Sequence, residues 1–111
     1  MSRNVPSTWQ TIRIYLLSYR KVTVAPPPFA ATAVTIGRGA SQTLVCDDRD
    51  VSRQHARVLV VNGAVTVEDL QSTNGTFVDE QRITGSVPLT EGARIRLGGQ
   101  LLKYERRSRA D

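Results

Sequence analysis

Three short segments of this chain concentrate side chains that can bind an anion. They are Gly37-Arg38, Ser52-Arg53-Gln54-His55 and Ser72-Thr73-Asn74-Gly75-Thr76. Together they supply guanidinium groups, hydroxyls and a carboxamide. A phosphate monoester carries about −1.5 to −2 charges and three acceptor oxygens at neutral pH, so it requires donors of this kind. The combination indicates a site for a phosphorylated side chain on an extended peptide.

Each type of side chain has a specific use in such a site. Arg38 presents a planar fork of donors that matches phosphate oxygens. The hydroxyls of Ser52 and Thr73 can donate to the remaining oxygens, and Asn74 offers both a donor and an acceptor to a peptide main chain. Taken singly, the segments also have structural explanations, because serine and Asn-Gly are common in turns. The prediction therefore depends on all three segments together.

The residue counts argue against most catalytic and metal sites. The chain has one histidine and one cysteine, Cys46, so it can form neither an internal disulfide nor the usual zinc ligand sets. It has no glycine-rich phosphate loop that opens a helix. The acidic cluster Asp47-Asp48-Asp50 lacks the glycine and the distal glutamate of a calcium loop, and we expect a solvated loop there. We expect no enzymatic activity, no cofactor and no metal.

The net charge of +5 is concentrated near the two ends of the 111 residues. Residues 1–21 carry four basic residues and no acidic one, residues 103–111 have a net charge of +2, and the stretch between them has −1. Basic ends are usually solvated tails, so nucleic-acid binding is not expected. No apolar stretch approaches the ~20 residues of a membrane span, and no signal-peptide pattern is present. We expect a monomer in the cytoplasm, or in the nucleus of a eukaryote, without membrane attachment.

The segments lie between short runs that have the period of a β-strand. From Thr11, strict alternation places Ile12, Ile14 and Leu16 on one face. Further strands are predicted at 22–24, 33–36, 43–46, 55–61, 64–70, 76–78, around Ile83, and at 87–89, 93–97 and 100–104. Asn62-Gly63 and Gly98-Gly99 predict two-residue hairpins with type I′ turns. Many short strands with frequent turns indicate an all-β sandwich.

In these motifs the chain resembles the forkhead-associated (FHA) domain family over residues 12–104. The resemblance rests on Gly-Arg after a strand, Ser-Arg-x-His, Ser-Thr-Asn-Gly-Thr preceded by Asp-Leu, and Val-Pro-Leu-x-x-Gly-x-x-Ile-x-Leu-Gly from Val87 to Gly98. It implies a β-sandwich of about eleven strands whose loops at one end bind phosphothreonine peptides. The expected organisation is a flexible arm at 1–10, an FHA domain at 11–105 and a basic tail at 106–111.

The resemblance also implies two groups of site residues. The group expected to bind the phosphopeptide is Arg38, Ser52, Arg53, Thr73 and Asn74. The group expected to support the site is Gly37, His55 and Gly75. In the first group, Arg38 and Ser52 match residues that hold the phosphate, and Arg53 matches a neighbour that often adds a contact. Thr73 matches a residue that flanks the phosphate pocket, and Asn74 matches the residue that fixes the ligand main chain.

The chain departs from the family pattern after Val78. Asp79-Glu80-Gln81 stands where family members often have Asn-Gly, so we expect a wider hairpin there. Asp50 occupies the position that in the family helps to select the third residue after the phosphothreonine, but Arg49 and Arg53 lie beside it and leave the preference open. The alternative function is a phosphate-independent scaffold in a larger assembly. Retention of the arginine and the serine favours phosphopeptide binding.

Overall fold

The structure of the chain is a computed structural model that describes residues 10–16, 20–24 and 31–108. These residues form eleven strands. The strands are β1 Gln10–Leu16, β2 Arg20–Val24, β3 Ala31–Gly37, β4 Leu44–Val45, β5 Ala56–Val61, β6 Ala64–Asp69, β7 Thr76–Val78, β8 Gln81–Arg82, β9 Ser86–Pro88, β10 Arg94–Leu97 and β11 Gln100–Ser108. The predicted arm lies almost entirely outside the described residues, as does the proline segment before β3.

The strands form two sheets, which confirms the prediction of an all-β sandwich. One sheet has six strands in the order β2-β1-β11-β10-β7-β8, and the other has five in the order β4-β3-β5-β6-β9. Neighbouring strands are antiparallel except for the parallel pair β3 and β4. Within the described part of the chain, no helix is long and apolar enough to cross a bilayer.

The core lies between the sheets and follows the alternation in the sequence. On β5, Ala56, Val58 and Val60 are buried, whereas Arg57 points outward and forms an ion pair with Glu68 on β6. Of the three β1 residues predicted to share one face, Ile12 and Ile14 are fully buried, and the side chain of Leu16 lies outside the described part of the chain. Complete burial of one such aliphatic side chain contributes about 1.5–3 kcal/mol. The other large buried apolar residues are Val34, Ile36, Leu44, Val51, Val65, Val67, Ile83, Leu89, Ile95, Leu97, Leu102 and Tyr104.

The two predicted type I′ hairpins have different geometries. Asn62-Gly63 has positive φ at both residues, 51° and 82°, as that turn requires. At Gly98-Gly99 only Gly98 has a positive φ, 58°, so the type I′ prediction is wrong for this turn. The cause is contact with the loop after β4. A β-carbon at Gly98 would lie 2.9 Å from Val51 Cγ2, and Gly99 N donates to Asp48 Oδ2 at 3.1 Å.

The expectation of a wider hairpin after Val78 is also wrong. Val78 pairs directly with Gln81, so Asp79-Glu80 forms a two-residue turn with φ of 49° and 69°. Positive φ costs a residue with a side chain roughly 1–2 kcal/mol, and neighbouring contacts on β10 hold the turn. Asp79 Oδ1 accepts a hydrogen bond from Arg94 N at 3.0 Å, and Glu80 forms an ion pair with Arg96 at 3.1 Å.

Both terminal strands extend further than predicted. Gln10 begins β1, although it was assigned to the arm, and β11 continues to Ser108 past the predicted start of the tail at 106. The two strands pair along their whole overlap, with Gln10 opposite Ser108 and Leu16 opposite Leu102. Main-chain pairing extends the strand through a polar, basic stretch that shows no apolar period. Residues 1–9 and 109–111 lie outside the described residues.

Candidate functional site

The three predicted segments converge at one end of the sandwich. They lie on the loops that follow β3, β4 and β6. Arg38 N donates to Ser52 O at 2.9 Å, Gly39 N donates to Arg53 O at 3.1 Å, and Thr73 N donates to Ser52 Oγ at 3.1 Å. Ser52 therefore contacts both other segments and brings Arg38 and Thr73 to one surface.

Gly37 permits the close approach between the first two segments. It is buried, and a β-carbon at this position would lie 2.1 Å from Arg53 O and 2.9 Å from Ser52 O. Both neighbours are main-chain atoms, which cannot rotate away as a side chain could. Any side chain at this position would push the main chain of Arg38 away from that of Ser52.

The guanidinium of Arg38 is exposed but oriented. Its Nε donates to Val51 O at 3.0 Å, which fixes the plane of the group beside Ser52. Its two terminal nitrogens have no hydrogen-bond partner among the described residues. An arginine that is already held in place loses less side-chain entropy when it binds a ligand. The geometry therefore presents a pre-organised fork of donors to solvent.

The hydroxyl of Ser52 is available as a further donor. Its oxygen accepts the bond from Thr73 N, so the hydroxyl hydrogen can point toward a ligand. The main-chain N–H of Ser52 donates to His55 Nδ1 at 3.0 Å. Because both its main chain and its side chain are held, Ser52 has a defined position relative to Arg38.

His55 connects the second and third segments from inside the fold. The ring is fully buried, and its Nε2–H donates to Gly75 O at 2.9 Å while Nδ1 accepts from Ser52 N–H. These two bonds define one neutral tautomer and occupy both ring nitrogens. The histidine has no nitrogen left for a ligand, which fits the supporting role that the family resemblance implies.

Asp69, at the end of β6, organises the third segment. Its Oδ1 accepts hydrogen bonds from Ser72 Oγ at 2.6 Å and from Thr76 Oγ1 at 2.7 Å, and Gly75 N donates to Ser72 Oγ at 3.0 Å. Asp69 belongs to the Asp-Leu signature of the resemblance but was not among the predicted site residues. A signal was present, because an aspartate three residues before a serine often bonds the local main chain, and Ser72 N does donate to Asp69 Oδ2.

We expect this network to make stability depend on pH. Burial alone would raise the pKa of Asp69, but the hydrogen bonds from Ser72 and Thr76 hold that pKa below the ordinary 3.8. A depressed pKa in the folded state stabilises the protein above 3.8, and this contribution is lost as the pH falls further. Asp69→Asn should lower the melting temperature at neutral pH and flatten its decline in acid.

Melting curves from neutral pH into this acidic range measure the effect, with Asp47→Asn as the control at an exposed carboxylate of the neighbouring loop. Parallel acid profiles for Asp69→Asn and the unmodified chain would contradict the assignment.

A hydrogen bond between Asn74 and Asp50 connects the loop after β6 with the loop after β4. Asn74 is exposed, and its Nδ2 donates to Asp50 O at 2.9 Å. The bond positions the carboxamide and leaves its oxygen and one hydrogen for a ligand main chain. Gly75 follows with φ of 91°, a conformation that favours glycine.

The acidic cluster before Ser52 lies on an exposed loop, in which Asp48 is half-buried and bonded on several sides. Its carboxylate accepts hydrogen bonds from Gln100 Nε2, Gly99 N and Asp50 N at 3.0, 3.1 and 2.8 Å. The bond from Gln100, with help from Asp50 N–H, lowers the pKa of Asp48. Asp47 and Asp50 are exposed. Within the described ranges, no cluster of three or more histidine, cysteine or acidic residues could hold a metal ion.

A family model and two relatives match this chain. The model described as FHA domain matches residues 34–98. FHA domain-containing protein FhaB of Mycolicibacterium smegmatis is 35% identical over an alignment of 91 positions that covers 76% of this chain and 59% of that protein. FhaB of Mycobacterium tuberculosis (strain CDC 1551 / Oshkosh) is 37% identical over 82 residues, or 74% of this chain and 50% of the relative. The chain thus spans only about half the length of these relatives.

A solved structure also resembles the fold closely. It comes from a structural and functional analysis of phosphothreonine-dependent FHA domain interactions. The two chains superimpose with a TM-score of 0.73 at 26% identity, and the match covers 86% of this chain and 95% of that one.

Proposed function

The chain belongs to the FHA domain family, and from that premise we propose that it binds a phosphothreonine segment of a partner protein. One observation carries the proposal. The Arg38 guanidinium is oriented by its bond to Val51 O, the residue that precedes Ser52 in the chain, and its terminal nitrogens have no hydrogen-bond partner among the described residues. A pre-organised cation next to a hydroxyl donor is the arrangement that a phosphate monoester requires.

In the proposed complex, Arg38 donates charge-assisted hydrogen bonds to two phosphate oxygens, and Ser52 donates to the third. Arg53 is exposed beside Ser52 and adds positive charge. Thr73 flanks the phosphate. Binding would displace water from these groups and lower the local dielectric constant. The hydrogen bonds to the phosphate would then be stronger, because charge interactions increase as the dielectric constant falls.

Asn74 has a different role in the proposed complex, because it bonds the main chain of the ligand peptide and not the phosphate. Its carboxamide is positioned by Asp50 O, and its remaining donor and acceptor can bond one residue of an extended ligand. Main-chain recognition is independent of ligand sequence. It therefore fits a module that identifies a modified residue first and its neighbours second.

The comparison with solved structures supports the same function, since one relative of this fold was analysed for phosphothreonine-dependent interactions. We further propose that the domain is a monomer, has no catalytic activity and does not bind nucleic acid. The rival function is a phosphate-independent scaffold. The oriented Arg38 and Ser52 favour phosphopeptide binding over that rival.

The direct test is calorimetric titration of a degenerate phosphothreonine peptide library, with the same library unphosphorylated as the control. A small polar site for one peptide should bind at about micromolar strength, near −8 kcal/mol. Binding only to the phosphorylated library is the expected result. Equal binding to both libraries would support the scaffold function instead.

We expect phosphothreonine to bind more tightly than phosphoserine in the same peptide. The family resemblance implies this preference, and its physical cause would be burial of the threonine methyl group in a small apolar niche. Such a group is worth roughly 1–3 kcal/mol, or ten-fold and more in affinity. Paired titrations of the two peptides measure the ratio. Equal affinities would refute the preference while leaving phosphate recognition intact.

A further inference from the structure

Arg82 lies against the candidate site and has no part in the function proposed above. It is exposed on β8, and its guanidinium packs against Gly75. A β-carbon at Gly75 would lie 2.8 Å from Arg82 Nε and 2.9 Å from Arg82 Cζ. Because Asn74 precedes Gly75 directly, the guanidinium borders the loop that is proposed to hold the ligand main chain.

The charge of Arg82 is not neutralised in the way that the charge of Arg96 is. Arg96 forms an ion pair with Glu80 at 3.1 Å and lies over the Phe77 ring, 4.2 Å from its centroid. Within the described ranges, Arg82 has neither an ion pair nor a hydrogen bond from its side chain. An uncompensated guanidinium therefore lies at the rim of the site.

Arg38 and Arg82 belong to the two different sheets that one loop connects. Residues 70–75 connect β6 in the five-stranded sheet with β7 in the six-stranded sheet. Arg38 follows β3 of the five-stranded sheet, whereas β8 is the edge strand of the six-stranded sheet. A peptide whose phosphate is bound at Arg38 and whose main chain crosses Asn74 would continue toward Arg82.

Space for a ligand group is present beside this arginine. Arg82 lines a groove of about 340 Å³ between the β7–β8 hairpin and β9. The apolar residues of the groove are Val78, Ile83, Val87 and Pro88. The guanidinium packs on Gly75, and the same residue lines this open space.

We propose that Arg82 is a specificity-determining residue that binds a second anionic group of the phosphopeptide, either a carboxylate or another phosphate. The inference rests on the proposed function, because it needs a peptide anchored at Arg38. The planar fork of arginine fits both kinds of anion in a two-point contact. As a consequence, the domain binds phosphopeptides that carry a further acidic group more tightly than phosphopeptides with neutral flanking residues.

The expected preference is modest, because the contact is exposed to solvent. An exposed ion pair corresponds to a gain in affinity of roughly two- to five-fold. A second phosphate carries more charge than a carboxylate and should give the larger gain. Added salt should reduce the preference, since exposed charges are screened at high ionic strength.

The experiment compares phosphothreonine peptides that differ in one residue. A neutral reference peptide is matched with peptides that carry a single aspartate at each flanking position in turn, and with one that carries phosphoserine at the best position. Fluorescence anisotropy measures their affinities for the unmodified chain, for Arg82→Gln and for Arg94→Gln. Arg94 is the matched control, because it is exposed in the same sheet and, unlike Arg82, has no contact with Gly75.

We expect the unmodified chain and Arg94→Gln to prefer one acidic position by about two- to five-fold, and Arg82→Gln to show no preference while binding the neutral peptide normally. Arg82→Lys should retain part of the preference, which separates loss of charge from misfolding.

The inference is overturned if the preference is absent or survives in Arg82→Gln. It is also overturned if Arg82→Gln weakens neutral and acidic peptides equally, which would make Arg82 a support for Gly75 alone. If no phosphothreonine peptide binds the unmodified chain, the proposed function itself fails, and this inference with it.

Discussion

Arg38→Ala should abolish measurable binding of phosphothreonine peptides while the protein stays folded. A charge-assisted hydrogen bond contributes about 1.5–3 kcal/mol, and a forked pair to phosphate should reach the upper end of that range or exceed it. Against a total near −8 kcal/mol for micromolar binding, a loss of about 3 kcal/mol weakens affinity more than 100-fold. The fold should persist because the side chain is exposed and contributes one bond, to Val51 O.

Arg38→Lys should restore little of the affinity. An ammonium group has no planar fork, and lysine has no second nitrogen that could keep the bond to Val51 O while another binds phosphate. Calorimetric titration of the two variants measures the loss, with Arg94→Ala as the control at an exposed arginine outside the three loops. Near-normal affinity in folded Arg38→Ala would mean that the loops serve another purpose.

Gly37→Ala should disrupt both the site and the stability of the domain. The added β-carbon would overlap Arg53 O at 2.1 Å and approach Ser52 O at 2.9 Å, so the first two segments must move apart. This movement would break the hydrogen bond from Arg38 N to Ser52 O and separate the end of β3 from the loop that follows β4. We expect a loss of more than about 3 kcal/mol, which exceeds the usual cost of overpacking because main-chain atoms must move.

Thermal unfolding of Gly37→Ala and Gly85→Ala separates steric overlap from backbone conformation. Gly85 has φ of 79° and open space around its missing side chain, so alanine there should cost only the roughly 1–2 kcal/mol of a left-handed conformation. For a domain of this size, 3 kcal/mol lowers the melting temperature by more than about 10 °C. If Gly37→Ala proved no less stable than Gly85→Ala, the close approach of Gly37 to Arg53 O and Ser52 O would not be what restricts this position to glycine.

The strands were predictable because their signal is local. Alternation with a period of two places Ile12 and Ile14 on one face whatever lies across the sheet, and both residues are buried. β7 was predicted with its observed bounds, Thr76–Val78. The residue types that can bind an anion could also be recognised from the sequence. A strand that ends at a glycine before an arginine, for example, places that arginine on a loop.

Errors occurred where contacts between distant parts of the chain override local preference. Gly98-Gly99 does not adopt the type I′ turn, because the turn fits against Val51 and Asp48. Asp79-Glu80 adopts a tight turn without glycine, because Arg94 and Arg96 hold it.

The sequence by itself determined the strand pattern and the kinds of donor available for a phosphate. The tertiary structure alone decided how those donors are oriented and which neighbours surround them. Asp48 and Gly99 bond across 51 positions in the chain, and Thr73 reaches Ser52 across 21. Periodicity reports only which face a residue occupies. The direction of a hydrogen bond, or the packing of Arg82 on Gly75, depends on the three-dimensional position of both partners, and that position exists only once the two sheets have packed together.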